Sequence, residues 1–353
     1  MTTVRRLAVL DERRAALETC GYCPKLCRSA CPVSEVTASE ALIPWGKMTM
    51  TWYVARGDLK ADRDLAALPW ACTGCLRCRE RCEHENPVAP TLVSARAVYR
   101  EQGLAPVGTE RVLARFEANR VRLRERVGAL GGSRADASVA LVMGCGYVGG
   151  RGPEARDVLR AARGLFGAVH VLDGCCGLPR KEAGDAAGAS VLRSELLESA
   201  RGRTLVVADA GCAAELREAG AVTLVEAAAE RASLLGRTAR LGGTVRWHDP
   251  CRLGRGLGVL DEPRLVLARA LGAPPAEFEA SRERGGCSGA GGLLPFSMPQ
   301  TARQIARERL AEHERLGGGT VVTGCATSLR WFRAQGARAV DLATVIAWSL
   351  EGD

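Results

Sequence analysis

Apolar positions in the second half of the chain fall in short clusters rather than long stripes. The runs SVALVMG (138–144), AVHVLDG (168–174), TLVVADAG (204–211), TVRWHD (244–249) and TVVTG (320–324) are rich in valine and close on glycine or aspartate. Such runs predict short strands. Several lead into amphipathic stretches, including PEARDVLRAARGLFG (153–167) and MPQTARQIARERLAEHERLG (298–317), whose apolar residues recur at helical spacing. Strands alternating with helices predict parallel α/β organisation. The first third reads differently. SEVTASEALIPWGKMTMTWYVARGD (34–58) has helical stretches and no alternating strands, and RVRLRER (120–126) reads as an exposed helix. The expected organisation is a helical module over 1–106, a helical linker over 107–134, and α/β domains over 135–240 and 241–353.

At 353 residues and 47% hydrophobic content, the chain can bury two or three cores. Its longest apolar stretches are interrupted by glycine and fall short of the roughly 18 residues that span a bilayer. The N-terminal MTTVRRLAVLDERR has no signal-peptide apolar region. The expectation is a cytoplasmic protein that touches a membrane at most peripherally, at the inner face. In a reducing compartment its 15 cysteines serve as metal ligands or catalytic groups before disulfides. Much of the formal charge of +9 is local: residues 1–134 carry 22 Lys+Arg and 15 Asp+Glu, or 22 − 15 = +7. Two readings stand, a solvated basic face and an offset to bound anionic clusters, since an oxidised 4Fe-4S core with four thiolates carries about −2. No aromatic residues interleave the arginines, which argues against nucleic-acid binding.

The cysteines supply the chemistry. Cys20, Cys23, Cys27 and Cys31 form one run, and Cys72, Cys75, Cys78 and Cys82 form another. Eight thiols are the number two 4Fe-4S cubanes need. Three closely spaced thiolates wrap three iron corners, and the fourth of the run points to the other cluster. The crossed scheme gives one cluster Cys20, Cys23, Cys27 and Cys82, and the other Cys72, Cys75, Cys78 and Cys31. Two four-cysteine zinc sites are the alternative, although zinc favours paired CxxC knuckles over triplets. The first run has three residues between Cys23 and Cys27 where two are usual, and Glu83 stands where a proline usually follows the last cysteine. With this motif the helical N-terminal module is expected to be ferredoxin-like. Trp45, Trp52 and Trp70 are expected to pack or shield rather than relay electrons.

The other seven cysteines lie in a duplication. Cys145, Cys175 and Cys212 recur as Cys251, Cys287 and Cys325, at offsets of 251 − 145 = 106, 287 − 175 = 112 and 325 − 212 = 113. They sit in loops beyond the strands, where α/β sheets gather ligands. GCGYVG (144–149) matches a dinucleotide-binding glycine pattern with Asp173 as ribose acid, but the pattern is absent around Cys251, so nicotinamide binding is disfavoured.

CTGCLRC (72–78), GCCG (174–177), HDPCRLGRGLGVLDEPR (248–264) and CSGAGG (287–292) give the whole chain a resemblance to iron-sulfur subunits with paired 4Fe-4S motifs and two cysteine-rich CCG domains. That group includes the iron-sulfur subunits of glycolate oxidase and the catalytic subunit of heterodisulfide reductases. The resemblance implies an α+β multidomain fold: an all-helical ferredoxin-like module, then two duplicated α/β CCG domains. In heterodisulfide reductases each such domain binds a noncubane cluster through a cysteine, a CC pair and a terminal CxxC. Here the first domain offers Cys145, Cys175, Cys176 and Cys212, with Glu215 taken as standing in the last position. The second offers Cys251, Cys287 and Cys325, with Ser288 and Ser328 in place of thiols. A cluster or zinc is favoured over inert thiols for the first set, and the order is reversed for the second. His248 is read as a packed strand-end residue.

The function these features imply is an electron-transfer subunit, taking electrons from a flavin-containing dehydrogenase or an electron-transfer flavoprotein through two cubanes to a quinone or other acceptor. A disulfide reductase acting through Cys175 or Cys176 and a structural zinc protein are the alternatives. The four histidines, His84, His170, His248 and His313, form no acid-base constellation.

Overall fold

The computed structural model describes residues 8–131, 133–150 and 152–352. It forms two compact units, and neither follows chain order: one gathers residues 1–115, 179–188 and 286–308, the other 116–178, 189–285 and 309–353.

The first unit is helical. Helices Arg14–Tyr22, Pro44–Arg56 and Val88–Glu101 pack together. Pro44 opens the second helix at a position where its missing N–H is no loss, and Gly57 (φ 85°) closes it, donating to the Tyr53 and Val54 carbonyls. Leu17, Met48, Trp52, Trp70, Leu92 and Tyr99 fill the core between them. Gly21 lets Arg14–Tyr22 approach its neighbour: a Cβ there would lie 2.3 Å from the Trp52 ring. Trp52 and Trp70 are thus core residues. A single helix, Val107–Leu130, follows, with only Thr109, Val112 and Leu113 buried.

The second unit is α/β, as the run pattern predicts. Strands β1 (Val139–Val142), β2 (His170–Val171), β3 (Thr204–Val207) and β4 (Val222–Thr223) form a parallel sheet in the order β2-β1-β3-β4. β5 (Val245–Trp247), β6 (Thr320–Thr323) and β7 (Ala339–Asp341) form a second parallel sheet in that order. Helices cover both faces, so β1 and β6 are buried throughout and read as continuous apolar runs. The two sheets share one core, in which Leu141, Val158, Leu224, Trp247, Val266 and Ile346 take part. Gly164 is required where helix Glu154–Phe166 meets Leu342–Glu351, since a Cβ would lie 2.8 Å from Leu350.

Strand pairing fixes how the two repeats align. Val139 pairs with Thr204 in the first sheet and Val245 with Thr320 in the second. The offsets are therefore 245 − 139 = 106 for the first strands and 320 − 204 = 116 for the second. At 116, Asp209 aligns with Cys325 and Cys212 with Ser328. Both alignments agree with local structure, because Asp209 caps helix Ala210–Leu216 and Cys325 occupies the same position before Ala326–Ala334. This corrects the sequence register: the residue replacing a thiol in the first repeat is Asp209, not Glu215. The two repeats keep a cysteine at different positions of the pair, three residues apart, and matching Cys212 to Cys325 hid the correspondence.

Candidate metal centres

In the first unit the two cysteine runs interleave. Cys20, Cys23, Cys27, Cys78 and Cys82 line a cavity of about 90 Å³. Cys31, Cys72, Cys75 and Cys78 line another of about 20 Å³. Each cavity thus draws thiols from both runs in the crossed grouping, and Cys78 borders both. Tight backbone turns make this possible: Lys25, Gly74 and Leu76 all adopt positive φ, at 69°, 67° and 62°. Lys25 belongs to the loop lengthened by one residue, and its ammonium lies 4.1 Å from the centroid of Trp45, which lines the first cavity.

The electrostatics of these thiols suit a cationic core. Burial, then proximity to Cys27, pushes Cys20 up to about 12, against a hydrogen bond from Asn86. Burial raises Cys78 well above the ordinary thiol range, and Cys75, Cys72, Cys31 and Cys27 add to it. Crowded buried thiols resist ionising until a positive centre joins them. Several donors already face the sulfurs: Asn86 Nδ2 lies 3.0 Å from Cys20 Sγ, Lys47 Nζ 3.5 Å from Cys31 Sγ, and the Gly74 N–H 3.4 Å from Cys72 Sγ. Among the described residues no three His, Cys, Asp or Glu side chains stand in a ready-made ligand arrangement. The fit to an iron-sulfur core therefore rests on the donor set and the two cavities.

In the second unit, four thiols meet at the carboxyl ends of the first sheet. Cys145 follows β1, Cys175 and Cys176 follow β2, and Cys212 lies in the helix after β3. Cys145 donates to Cys175, and Cys176, beside Cys175 in the chain, donates to Cys212 at 3.2 Å sulfur to sulfur. The bond from Cys145, with the Gly177 N–H and the Arg120 charge, holds Cys175 below the ordinary thiol range despite its burial. Cys145 moves well above the ordinary range through the same bond and its burial. Gly144 (φ 95°) admits Asp209 into this group, since a Cβ there would lie 2.7 Å from Asp209 Cβ. A cleft of about 70 Å³ opens beside Cys145 and Cys175, edged by Arg120, Arg124 and Asp173. The glycine pattern at 144–149 has a packing reason: a Cβ on Gly146 would lie 2.7 Å from Ala326 Cβ, where the repeats meet.

The second repeat's set is divided. Cys251 and Cys325 lie in the second unit within electrostatic reach of one another, and burial followed by the Asp209 charge pushes Cys325 up to about 12. Cys287 belongs to the first unit, where its Sγ lies 3.7 Å from Thr73 Oγ1. There Gly292 presses against the Cys72 carbonyl, which a Cβ would approach to 2.0 Å. Ser288 is buried, and Ser328 bonds to the Cys325 sulfur. His248 packs edge-on against Phe332, ring centroids 4.8 Å apart, and burial, then Arg309, lowers it to about 3, so it is a neutral core residue. His84 borders the first cavity, His170 faces Ser133, and His313 meets Arg246. Sequence reasoning missed Asn86, Lys47, Arg96 and Asp209. A lysine in the largely apolar WGKM (45–48) was the one available signal.

Comparison with known proteins accords with this layout. Residues 16–86 match the 4Fe-4S dicluster domain family, and residues 139–217 and 245–332 match the cysteine-rich domain family. The chain is 26% identical to one subunit of the fumarate reductase (CoM/CoB) of Methanothermobacter marburgensis over 319 residues, 85% of this chain and 64% of that protein. A 69-residue segment, 20% of this chain and 17% of the relative, is 41% identical to one subunit of the dihydromethanophenazine:CoB--CoM heterodisulfide reductase of Methanosarcina mazei. EtfAB:quinone oxidoreductase of Syntrophomonas wolfei is 28% identical over 258 residues, 63% of this chain and 36% of that protein. The chain thus covers less than two thirds of the length of these relatives. No helix among the described residues is long and apolar enough to cross a membrane.

Proposed function

The chain belongs to the iron-sulfur oxidoreductase components that join a 4Fe-4S dicluster domain to two cysteine-rich domains, and from that membership we propose that it is an electron-transfer subunit holding two cubanes. Cys20, Cys23, Cys27 and Cys82 hold one, and Cys31, Cys72, Cys75 and Cys78 the other. The observation that carries this reading is the pair of adjoining cavities, each lined by thiols from both runs. Bound cubanes supply one-electron storage at each site. The chain's own residues fix the sulfurs, bury them and donate N–H bonds to them, while the shared border at Cys78 keeps the two sites adjacent. The electron donor is a flavin-containing dehydrogenase or electron-transfer flavoprotein and the acceptor a quinone or another redox subunit. The similarity to an EtfAB:quinone oxidoreductase supports this pairing. We take the homologous modules as 135–240 and 241–353, after a dicluster module at 1–106 and a linker at 107–134, in a cytoplasmic protein able to meet the membrane only at its surface.

The test is iron, zinc and acid-labile sulfide per chain on anaerobically prepared protein, with EPR after reduction. About 8 iron and 8 sulfide are expected from the two cubanes, and about 12 iron if the first cysteine-rich site is loaded as well. Stoichiometric zinc with little iron refutes the reading. Cys82→Ser should perturb the same cluster signal as Cys20→Ser, and Cys31→Ser the same signal as Cys72→Ser; the opposite pairing refutes the crossed assignment.

A second reading is favoured by the contact series Cys145–Cys175–Cys176–Cys212 beside a cleft edged by Arg120 and Arg124. With an iron-sulfur cluster in the first cysteine-rich domain to pass two electrons one at a time, that site would suit reduction of an anionic disulfide to two thiols. Isolated protein given an artificial reductant should then reduce a disulfide with no partner present, and failure to do so leaves electron transfer alone.

A further inference from the structure

The two cubane sites differ in the charge built around them. Lys47, on helix Pro44–Arg56, is 1% exposed, and its Nζ lies 3.5 Å from Cys31 Sγ. No carboxylate among the described residues comes within 4.0 Å of that ammonium. A second buried cation, Arg96, donates to the Cys72 carbonyl at 2.9 Å and to the Pro69 carbonyl at 2.9 Å and 3.1 Å.

Among the described residues that line the other cavity there is no lysine or arginine. Cys20 receives a neutral amide, Asn86 Nδ2, at 3.0 Å. A carboxylate, Glu83, borders its cavity, in the position where a proline was expected. Solvent screens both Glu83, which is exposed, and Lys25, which lies over Trp45 at the same cavity and is part-exposed, so the main contrast between the sites is buried Lys47.

A cluster gains one negative charge on reduction, so a buried unpaired cation raises its potential and a nearby carboxylate lowers it. We propose that Lys47, aided by Arg96, makes the cluster at Cys31, Cys72, Cys75 and Cys78 the higher-potential member of the pair, so that electrons pass to it from the cluster at Cys20, Cys23, Cys27 and Cys82. This rests on the two-cubane reading and adds a direction to it. The receiving cluster is the one whose loop meets the Cys287 segment, through Thr73.

The experiment is an EPR-monitored redox titration of the anaerobic full-length chain, with iron and sulfide counted on every sample. Lys47→Met should lower the higher midpoint and leave the lower one in place, cutting the equilibrium constant for transfer between the clusters by about tenfold or more. Lys47→Arg should restore it. Glu83→Gln, at the other site, should raise only the lower midpoint, and by less than Lys47→Met lowers the higher one because Glu83 is exposed; it keeps the proposal open to refutation if Lys47→Met loses a cluster. If Lys47→Met moves the lower midpoint or neither with iron retained, or if Glu83→Gln moves the higher one, the proposal is wrong. A wild-type count well below about 8 iron instead marks failure of the two-cubane reading.

Discussion

Asp341 ends β7, caps the last helix and is fully enclosed where the two repeats meet. Tyr147, in the turn after Cys145, donates its hydroxyl to Asp341 Oδ2 at 2.8 Å, and the Ala343 N–H donates to Oδ1 at 2.9 Å. Burial outweighs these bonds and raises the carboxyl from its ordinary 3.8 to about 7. The sign follows from proton counting. Between those pH values the unfolded chain ionises at this position while the folded chain keeps the proton, so stability falls as pH rises. At about 1.4 kcal/mol per pH unit, the fall amounts to about 4 kcal/mol between pH 4 and 7, and levels off above that. Asp341→Asn keeps an acceptor for Ala343 and a polar partner for Tyr147 but removes the titration. Guanidinium unfolding of both proteins, followed by tryptophan fluorescence between pH 4.5 and 7.5, reads the difference directly, because groups common to both cancel. Wild type should lose stability relative to the variant as pH rises, with the gap flattening near 7. A gap that stays constant within about 1 kcal/mol, or changes in the opposite direction, refutes the assignment.

Three further outcomes follow from packing. Gly144→Ala meets both a positive φ and a Cβ at 2.7 Å from Asp209, so it should cost about 2–4 kcal/mol in denaturant unfolding and weaken any metal retention by the first cysteine-rich site. Arg264→Met strips the buried Asp249 of its bidentate partner at 2.9 Å, leaving Trp247 Nε1 and the Arg282 N–H to hold it, and should cost about 3–5 kcal/mol in the same assay. Removing iron with a chelator and oxidant should loosen the first unit selectively, seen as faster hydrogen exchange in the cysteine loops 20–31 and 72–82, because their buried thiols then lack a positive centre.

Much of this architecture was legible because its signals are local. Buried parallel strands favour unbroken runs rich in β-branched residues, which TLVV and TVVT supply. The cluster motif is legible because iron geometry dictates spacing within a single loop. What escaped depends on contacts distant in sequence. Asn86 reaches Cys20 across 66 positions and Arg96 reaches Glu182 across 86, and no periodicity records such pairings. Lys47 was visible as a charge in a helix, but its meaning depends on Cys31 lying beneath it. The division of the chain was equally hidden, since residues 179–188 and 286–308 join the helical unit although they arise within the α/β repeats.

The corrected register changes what the two repeats can do. Each retains one position of the terminal pair, but a different one: Asp209 with Cys212 in the first, Cys325 with Ser328 in the second. In the first, the aspartate serves the backbone, accepting from the Gly211 and Cys212 N–H groups and, across the repeat boundary, from Ala326 at 3.2 Å. Its carboxylate therefore fastens the repeats together where a cysteine would offer a sulfur, while Cys145, Cys175, Cys176 and Cys212 remain joined in one series of contacts. In the second, the cap is a cysteine, its partner a serine, and Cys287 is held against Thr73 in the helical unit. Duplication thus left one thiol-rich site and one dispersed set. The gathered thiols of the cysteine-rich region lie in the first repeat, and the second repeat's Cys287 adjoins the loop of Cys72 and Thr73 in the helical unit.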